Sequence, residues 1–289
     1  MDPAFAQSIE ALADWVGKQR IADDEISVSN VRKVAAMLDL DPQSFKEGTR
    51  LPPHWMWLFC HDIIRQSELG RDGHPAPGVV LPPIPLPRRM GAGRRVQIFD
   101  QLVAGQRARR IAEVVSITPK AGRTGNIAVL TMRHTIESGG KTIAIDEFDA
   151  VYRGEVEQGQ STAASPPRPA PDNAAWSEQV HLAEALVFRF SALTWNAHRI
   201  HYDSDYSKGT EGYPHTVQNG GLTMHLLVDA AIRQSSGRLK NFSARLTGPL
   251  FVGDTVTLAG EAQMDGKLKC WAANHNNELC GVVELEFET

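Results

Sequence analysis

One order of elements occurs twice in this chain, and that repetition narrows the fold more than composition does. In the first half, Leu51-Pro-Pro-His-Trp-Met-Trp-Leu-Phe-Cys opens a helix whose prolines fall in the tolerated first turn. Trp55, Trp57, Leu58, Phe59, Ile63 and Ile64 leave that helix few polar positions, so it reads as buried inside a sheet. VQIFDQLVAG, RARRIAEVVSITPKA, NIAVLTMRHTIES and KTIAIDEFDAVYR follow between Val96 and Val151, and their alternation and turn residues predict an antiparallel sheet of about four strands. In the second half, VQNGGLTMHLLVDAAIRQSSG predicts a helix opening at a double glycine. NFSARLTGPLFVGDTVTLAGEAQ, KLKCWAANHN and LCGVVELEFE then supply strands. A shorter echo, FDQLVAG at 99–105 against GPLFVGD at 248–254, marks the same point in both halves. The expectation is two similarly folded α+β units.

The rest of the chain fits around these units. Residues 4–20 carry apolar side chains at Phe5, Ile9, Leu12, Ala13 and Val16, a helical spacing. A second helix is expected from Ser29 to Leu38, capped by Ser27 or Ser29 and ended by Asp41-Pro42. Residues 65–95 are rich in Gly, Pro and Arg and read as a long loop or extended segment, a kind that often carries function. Residues 154–178, rich in Pro, Ala, Ser and Gln, read as a linker between units at 1–153 and 179–289. EALVFRFSALTW reads as a strand-like lead-in to the polar cluster that follows it.

Composition excludes some function classes. A net charge of −4 over 289 residues gives no basic character suited to nucleic acid. No apolar run approaches a membrane span. Three cysteines without a CxxC pair argue against a disulfide framework, and a reducing cytoplasm is the expected location. There is no HExxH or Cys-rich metal spacing, no GxSxG, no P-loop and no strand-placed GxGxxG, so neither a metal nor a cofactor is expected.

The densest chemistry lies in Phe190 to Asp203, FSALTWNAHRIHYD, immediately before the glycine-opened helix. Together with QNGGL and GPLFVGDTVTL, this stretch resembles the MaoC-like double hot-dog hydratases and dehydratases of acyl thioesters. PLPRRMGAGRRVQIFDQLVAG and the TMRHTI…YR strands resemble that family's degenerate N-terminal domain. The similarity is greatest to the branch containing mesaconyl-C4-CoA hydratase, itaconyl-CoA hydratase and mitochondrial 3-hydroxyacyl-thioester dehydratase. The implied fold is a double hot-dog, as two antiparallel sheets or one continuous sheet, each half wrapped on a buried central helix. The first half lacks a second HRIH-like word, which implies one active site per chain, in a monomeric pseudo-dimer or a homodimer.

The wider family carries D-x-x-N-P-x-H, with an Asp five residues before the catalytic His. Aligning that His with His201 puts Asn196 at the acid and His198 at the asparagine. The resemblance implies that His201 is the general acid/base, since an imidazole exchanges protons near neutrality. Asn196 would hold a water through its amide, because a neutral amide is a poor base. The second proton-handling role falls on His201 itself, His198 or Asp203. Gly220 and Gly221 would hold the thioester oxygen at a helix N-terminus, where free N–H groups favour negative charge; packing against the sheet is their other reading. Arg199 and Arg245 are candidates for the free carboxylate of a C5-dicarboxylyl thioester, with His198 and Asp203 beside the substrate; Arg199 pairing with Asp203 or Asp205 is its other reading. Trp55 or Trp57 either packs the core or lines an acyl tunnel. Arg88, Arg89, Arg94, Arg95 and Lys240 are candidate contacts for coenzyme A phosphates, or a solvated basic face. The implied reaction is hydration of mesaconyl-C4-CoA or itaconyl-CoA to citramalyl-CoA. Dehydration of a 3-hydroxyacyl thioester, a non-catalytic thioester-binding scaffold and a thioesterase are the alternatives.

Overall fold

The computed structural model describes residues 2–122, 125–155 and 167–288. Asp2 caps α1 (Pro3–Glu10), which buries Phe5 and Ile9. An edge strand, β1 (Gln19–Glu25), leads to α2 (Val28–Met37), whose first turn is capped by the Ser27 side chain accepting from the Asn30 N–H. A 3-10 turn, Pro53–Leu58, precedes the strands β2 (Arg88–Ile98), β3 (Arg107–Gly122), β4 (Gly125–Ser138) and β5 (Lys141–Arg153). The second half runs β6 (Trp176–His181), α3 (Glu184–Leu193), a 3-10 turn at Arg199–His201, α4 (Ser204–Gly209) and α5 (Gly220–Arg233). It ends with β7 (Arg238–Leu246), β8 (Thr255–Gly260), β9 (Lys267–Ala273) and β10 (Leu279–Glu288).

The ten strands form one antiparallel sheet in the order β1-β3-β4-β5-β2-β7-β10-β9-β8-β6. Read outward from the β2–β7 junction, each half repeats one order, so the sheet is two five-stranded units joined back to back. The echo at 99–105 and 248–254 falls between β2 and β3 in one half and between β7 and β8 in the other. The junction pairs Gly93 with Arg245, Arg94 with Ala244 and Val96 with Phe242. One apolar core crosses it, from Val31, Trp55 and Val96 to Leu222, Val228 and Phe242. This is the double hot-dog architecture in its continuous-sheet form.

Three expectations give way. The buried helix foreseen from Leu51 stops after one 3-10 turn, because Phe59 is extended and Cys60 adopts φ 59. Ile63, expected inside that helix, is 86 % exposed. EALVFRFSALTW is helical, not strand-like. Leu186, Val187, Phe190 and Leu193 share one packed stripe while Phe188 faces out, and the unbranched side chains favour a helix. The polar QRIADDE at 19–25 forms an edge strand where only a helix end was foreseen. The arginines at 88–95 lie on a strand, the extended alternative for the end of residues 65–95. Of the expected linker, residues 156–166 fall outside the described residues, and β6 already begins at Trp176.

Between the two halves the rings of His54 and His225 lie tilted at 53° with centroids 4.5 Å apart, both fully buried. Neither ring has a hydrogen-bond partner among the described residues. Burial holds both neutral, pushing His225 down to about 3 and His54 well below its ordinary value. An unfolded histidine titrates near pH ~6.5. The unfolded chain therefore binds more protons as pH falls through that value. The contribution to stability is complete above it and is lost progressively toward the folded pKa. Each such residue loses about 2 kcal/mol by about pH 5. The melting temperature should accordingly fall clearly between about pH 7 and about pH 5; a flat or rising profile across that window would rule this account out.

Candidate active site

The two halves enclose a cavity of about 810 Å³. One end is built by the polar motif of the second half. Trp195, at φ 52, turns the chain sharply off α3, and the Asn196 side chain then accepts from the His198 N–H at 3.0 Å. The 3-10 turn that follows presents His201 to the cavity. His201 Nδ1 lies 2.7 Å from the Val217 carbonyl oxygen. A carbonyl only accepts, so Nδ1 carries the proton and Nε2 keeps its lone pair. Burial lowers the His201 pKa to about 4, outweighing the bond to Val217, so the ring is a neutral base at neutral pH.

The N-terminus of α5 closes the same end. Asn219 stands at the cap position, but its side-chain nitrogen donates to the Ser191 hydroxyl at 3.2 Å instead of capping the helix. The first N–H groups of α5, at Gly220 and Gly221, are therefore left for a ligand. Both glycines line the cavity. A Cβ at Gly220 would press on Leu246, whereas one at Gly221 would meet Phe190 at an ordinary 3.5 Å. Close approach thus matters more at Gly220 than at Gly221.

The first half supplies what sequence reasoning missed. The loop Gly70–Pro75 folds over the motif, with the Arg199 N–H donating to the Asp72 carbonyl at 2.8 Å. Gly73, at φ 85, lies so close that a Cβ there would overlap the Ala197 carbonyl oxygen. This contact lays His74 on His198, with ring centroids 3.9 Å apart, and His198 stands edge-on to His201 at 5.4 Å. His74 Nδ1 is 2.9 Å from Asp72 Oδ2. Burial is the largest cause holding His74 and His198 below their ordinary values; Arg89 lowers both, and His74 and His201 lower His198. Asp72, His74 and His198 bring ligand-type atoms within 4.8 Å of one another. One ring nitrogen and one carboxylate oxygen are already spent on each other, so the trio is arranged as a hydrogen-bonded dyad under a stacked ring. Residues 65–95 read as a long loop or extended segment of a kind that often carries function, but nothing in RDGHPAPG alone fixes its partner.

The profile of the hydroxyacyl-thioester dehydratase type 2 family matches residues 54–252. The chain is 39% identical to mesaconyl-C(4)-CoA hydratase of Chloroflexus aurantiacus over 82% of its length and 84% of that protein. The chain belongs to the hydroxyacyl-thioester dehydratase type 2 family. A MaoC-like dehydratase from Phytophthora capsici shares the fold at a TM-score of 0.72 and 14% identity, covering 97% of this chain and 98% of that one. A conserved protein of Mycobacterium tuberculosis with a double hot-dog fold does so at 0.58 and 14% identity, covering 95% and 96%. The protein is thus a hydro-lyase of the enoyl-thioester kind.

For this dehydratase-family chain, Asn196, His198, His201, Gly220, Gly221, Trp57, Arg88, Arg89 and Arg94 all belong to the cavity wall. Trp57 lies beneath the Arg94 guanidinium, 4.6 Å from ring centroid to Cζ, whereas Trp55 is fully buried and stacks on Phe45. Arg88 is held by Glu211 at 2.9 Å and Arg94 by Asp146 at 3.1 Å. Five candidates lie off the wall. Arg199 is taken up by Asp203, its Nη2 2.7 Å from Oδ2, and by the Arg71 carbonyl. Asp203 also caps α4, accepting from the Tyr206 N–H, so it braces the turn and is not placed to move a proton. Arg245 points to the outer face by strand alternation with Ala244. Arg95 pairs with Asp149 and Lys240 with Glu286 at the exposed surface. Gly73→Ala should therefore cut turnover at least about tenfold by unseating the loop from the motif, while Gly209→Ala, where a Cβ meets nothing within 4 Å, stays near wild type. Steady-state rates and melting temperatures of the two variants check this, and equal effects would contradict it.

Proposed function

We propose that this chain hydrates mesaconyl-C4-CoA to citramalyl-CoA, with itaconyl-CoA as the related C5 substrate. The 39% identity to a mesaconyl-C(4)-CoA hydratase over most of both chains supports the choice of substrate. The observation that carries it is a guanidinium standing beside the histidine cluster. Arg89 lines the cavity and lies close enough to lower both His74 and His198. Its charge reaches Tyr152, opposing the rise that burial imposes on that hydroxyl, and no carboxylate ion-pairs with Arg89 among the described residues. In mesaconyl-C4-CoA the free carboxylate is attached to the β-carbon, the atom that takes the water. A cation for that carboxylate must therefore stand next to the base and not at the far end of a tunnel. Arg89 does so; Arg199 and Arg245 do not.

The N–H groups of Gly220 and Gly221 receive the thioester oxygen as negative charge develops on it. His201 Nε2 takes a proton from water as the oxygen bonds to the β-carbon. The amide of Asn196 holds that water. The α-carbon then receives a proton, which completes the addition. The far part of the cavity favours a second reading. Met56, Trp57, Phe59, Leu130, Met132 and Phe148 give it an apolar wall suited to a longer 3-hydroxyacyl chain, as in a lipid-type dehydratase.

A panel of mesaconyl-C4-CoA, itaconyl-CoA, crotonyl-CoA and octenoyl-CoA, followed by enoyl-thioester absorbance, separates the two readings. Mesaconyl-C4-CoA should have the highest kcat/KM. Arg89→Met should raise its KM about tenfold or more, the loss of one charged hydrogen bond, and leave crotonyl-CoA nearly unchanged. Preference for octenoyl-CoA, or an equal loss on both substrates, would favour the lipid-type reading.

A further inference from the structure

Position 196 holds an amide where the resemblance points to an acid, and the structure brings a carboxylate of the other half, Asp72, into the same cavity on His74. We propose that His74, oriented by Asp72, is the group that exchanges the proton with the α-carbon, so that the reaction is shared between His201 in one half and a His–Asp dyad in the other. This proposal rests on the hydratase reading above and adds to it a catalytic residue from the half that shows no motif.

The geometry supports this division. His74 Nδ1 is committed to Asp72 Oδ2 at 2.9 Å, while Asp72 Oδ1 accepts from the His74 N–H at 3.1 Å. One carboxylate thus fixes both the ring and its backbone. The ring's Nδ1 carries the proton in this bond, and its Nε2 has no partner among the described residues. His74 lines the cavity that holds His201, Asn196 and Gly220. Of the three clustered imidazoles, His74 is the one hydrogen-bonded to a carboxylate. A positive charge on it is therefore stabilised, whereas a protonated His201 would face only the Val217 carbonyl. The charged and titratable groups around His74 are Asp72, Arg89 and Glu211, with His198 and His201 beyond. After burial, Arg89 is the largest influence keeping His74 neutral. A substrate carboxylate that pairs with Arg89 cancels this influence, so the bound substrate itself promotes protonation of His74.

The atoms balance as follows. His201 Nε2 takes a proton from water while the water oxygen bonds to the β-carbon. The π pair moves to the α-carbon and the thioester oxygen. The His74 imidazolium gives its Nε2 proton to the α-carbon and becomes neutral. His201 then releases its proton to solvent, and His74 takes one up with the next substrate. In the reverse direction, neutral His74 removes the α-proton.

The reverse direction gives the test. Citramalyl-CoA is incubated with enzyme in deuterium oxide, and α-carbon deuterium is read by mass spectrometry alongside turnover. His201→Gln should lose hydration but keep α-deuterium exchange. His74→Gln should lose both, with kcat down by about 100-fold and KM little changed. In the hydration direction, where His74 must be protonated, Asp72→Asn should fold, lower kcat, and move the basic limb of the kcat/KM profile for mesaconyl-C4-CoA to lower pH, because the imidazolium loses its counter-charge. That shift carries the test if His74→Gln does not fold. Exchange that persists in His74→Gln, or an unmoved basic limb in Asp72→Asn, overturns the assignment, as does activity lost on chelation and restored by zinc alone. If the wild type is inert toward mesaconyl-C4-CoA, the substrate reading fails instead, and the same variants are read with 3-hydroxybutyryl-CoA.

Discussion

The pairing of β2 with β7 is the contact on which the rest depends. It is a five-residue antiparallel register, Gly93 to Gln97 against Arg245 to Asn241. It turns two five-stranded units into one sheet and fixes their relative position. With that position fixed, the Gly70–Pro75 loop of the first half comes to rest on the Asn196–His201 motif of the second. A shift of one residue in this register would exchange inward and outward side chains, sending Arg94 out of the cavity and Arg95 into it. The cavity is therefore a consequence of sheet register before it is a matter of side-chain chemistry.

The two halves share a topology but have diverged in what lies under the sheet. In the second half α5 runs its full length against β7 to β10 and fills that space. In the first half the equivalent segment makes one 3-10 turn and then leaves at Phe59 and Cys60. The space a full helix would occupy is instead bordered by Met56, Trp57 and Phe59 on one side and by Leu130, Met132 and Phe148 on the other. Shortening the helix and opening the cavity are one structural change. The half without the catalytic motif thus supplies the room, and the loop that follows its short turn supplies Asp72 and His74.

The sequence revealed what rests on local pattern and missed what rests on contact between distant segments. Strands β3 to β5 and β7 to β10 were legible because alternation and turn residues act within a few positions; of β2 only the end from Val96 was. The α5 start was legible from Gly220 and Gly221, and His201 from its motif. The short first-half turn was not, because Trp55, Met56 and Leu58 are as apolar as a buried helix would be; only the left-handed Cys60 ends it. The strand-like reading of EALVFRFSALTW failed because Phe188 and Phe190 suggest a strand, although their neighbours pack with helical spacing. Asp72 and His74 carry no local signal at all. Their partner His198 lies more than a hundred residues away, and what joins them is the close contact of Gly73 with Ala197.

Electrostatics sharpens the meaning of Asn196. Burial holds the three histidines of the cluster below their ordinary values. An aspartate at position 196 would sit beside His198 and His201 and draw protons onto them, reducing the free base. Asparagine at that position leaves them neutral. Asp72 instead places its negative charge on His74, one ring further from His201. The cluster therefore holds two imidazoles with different partners, one on a carbonyl and one on a carboxylate, whose proton affinities diverge for that reason. Separated affinities of this kind let two like groups act as base and acid in one addition. The asparagine at 196 and the aspartate at 72 are two parts of a single redistribution of charge across the β2–β7 junction.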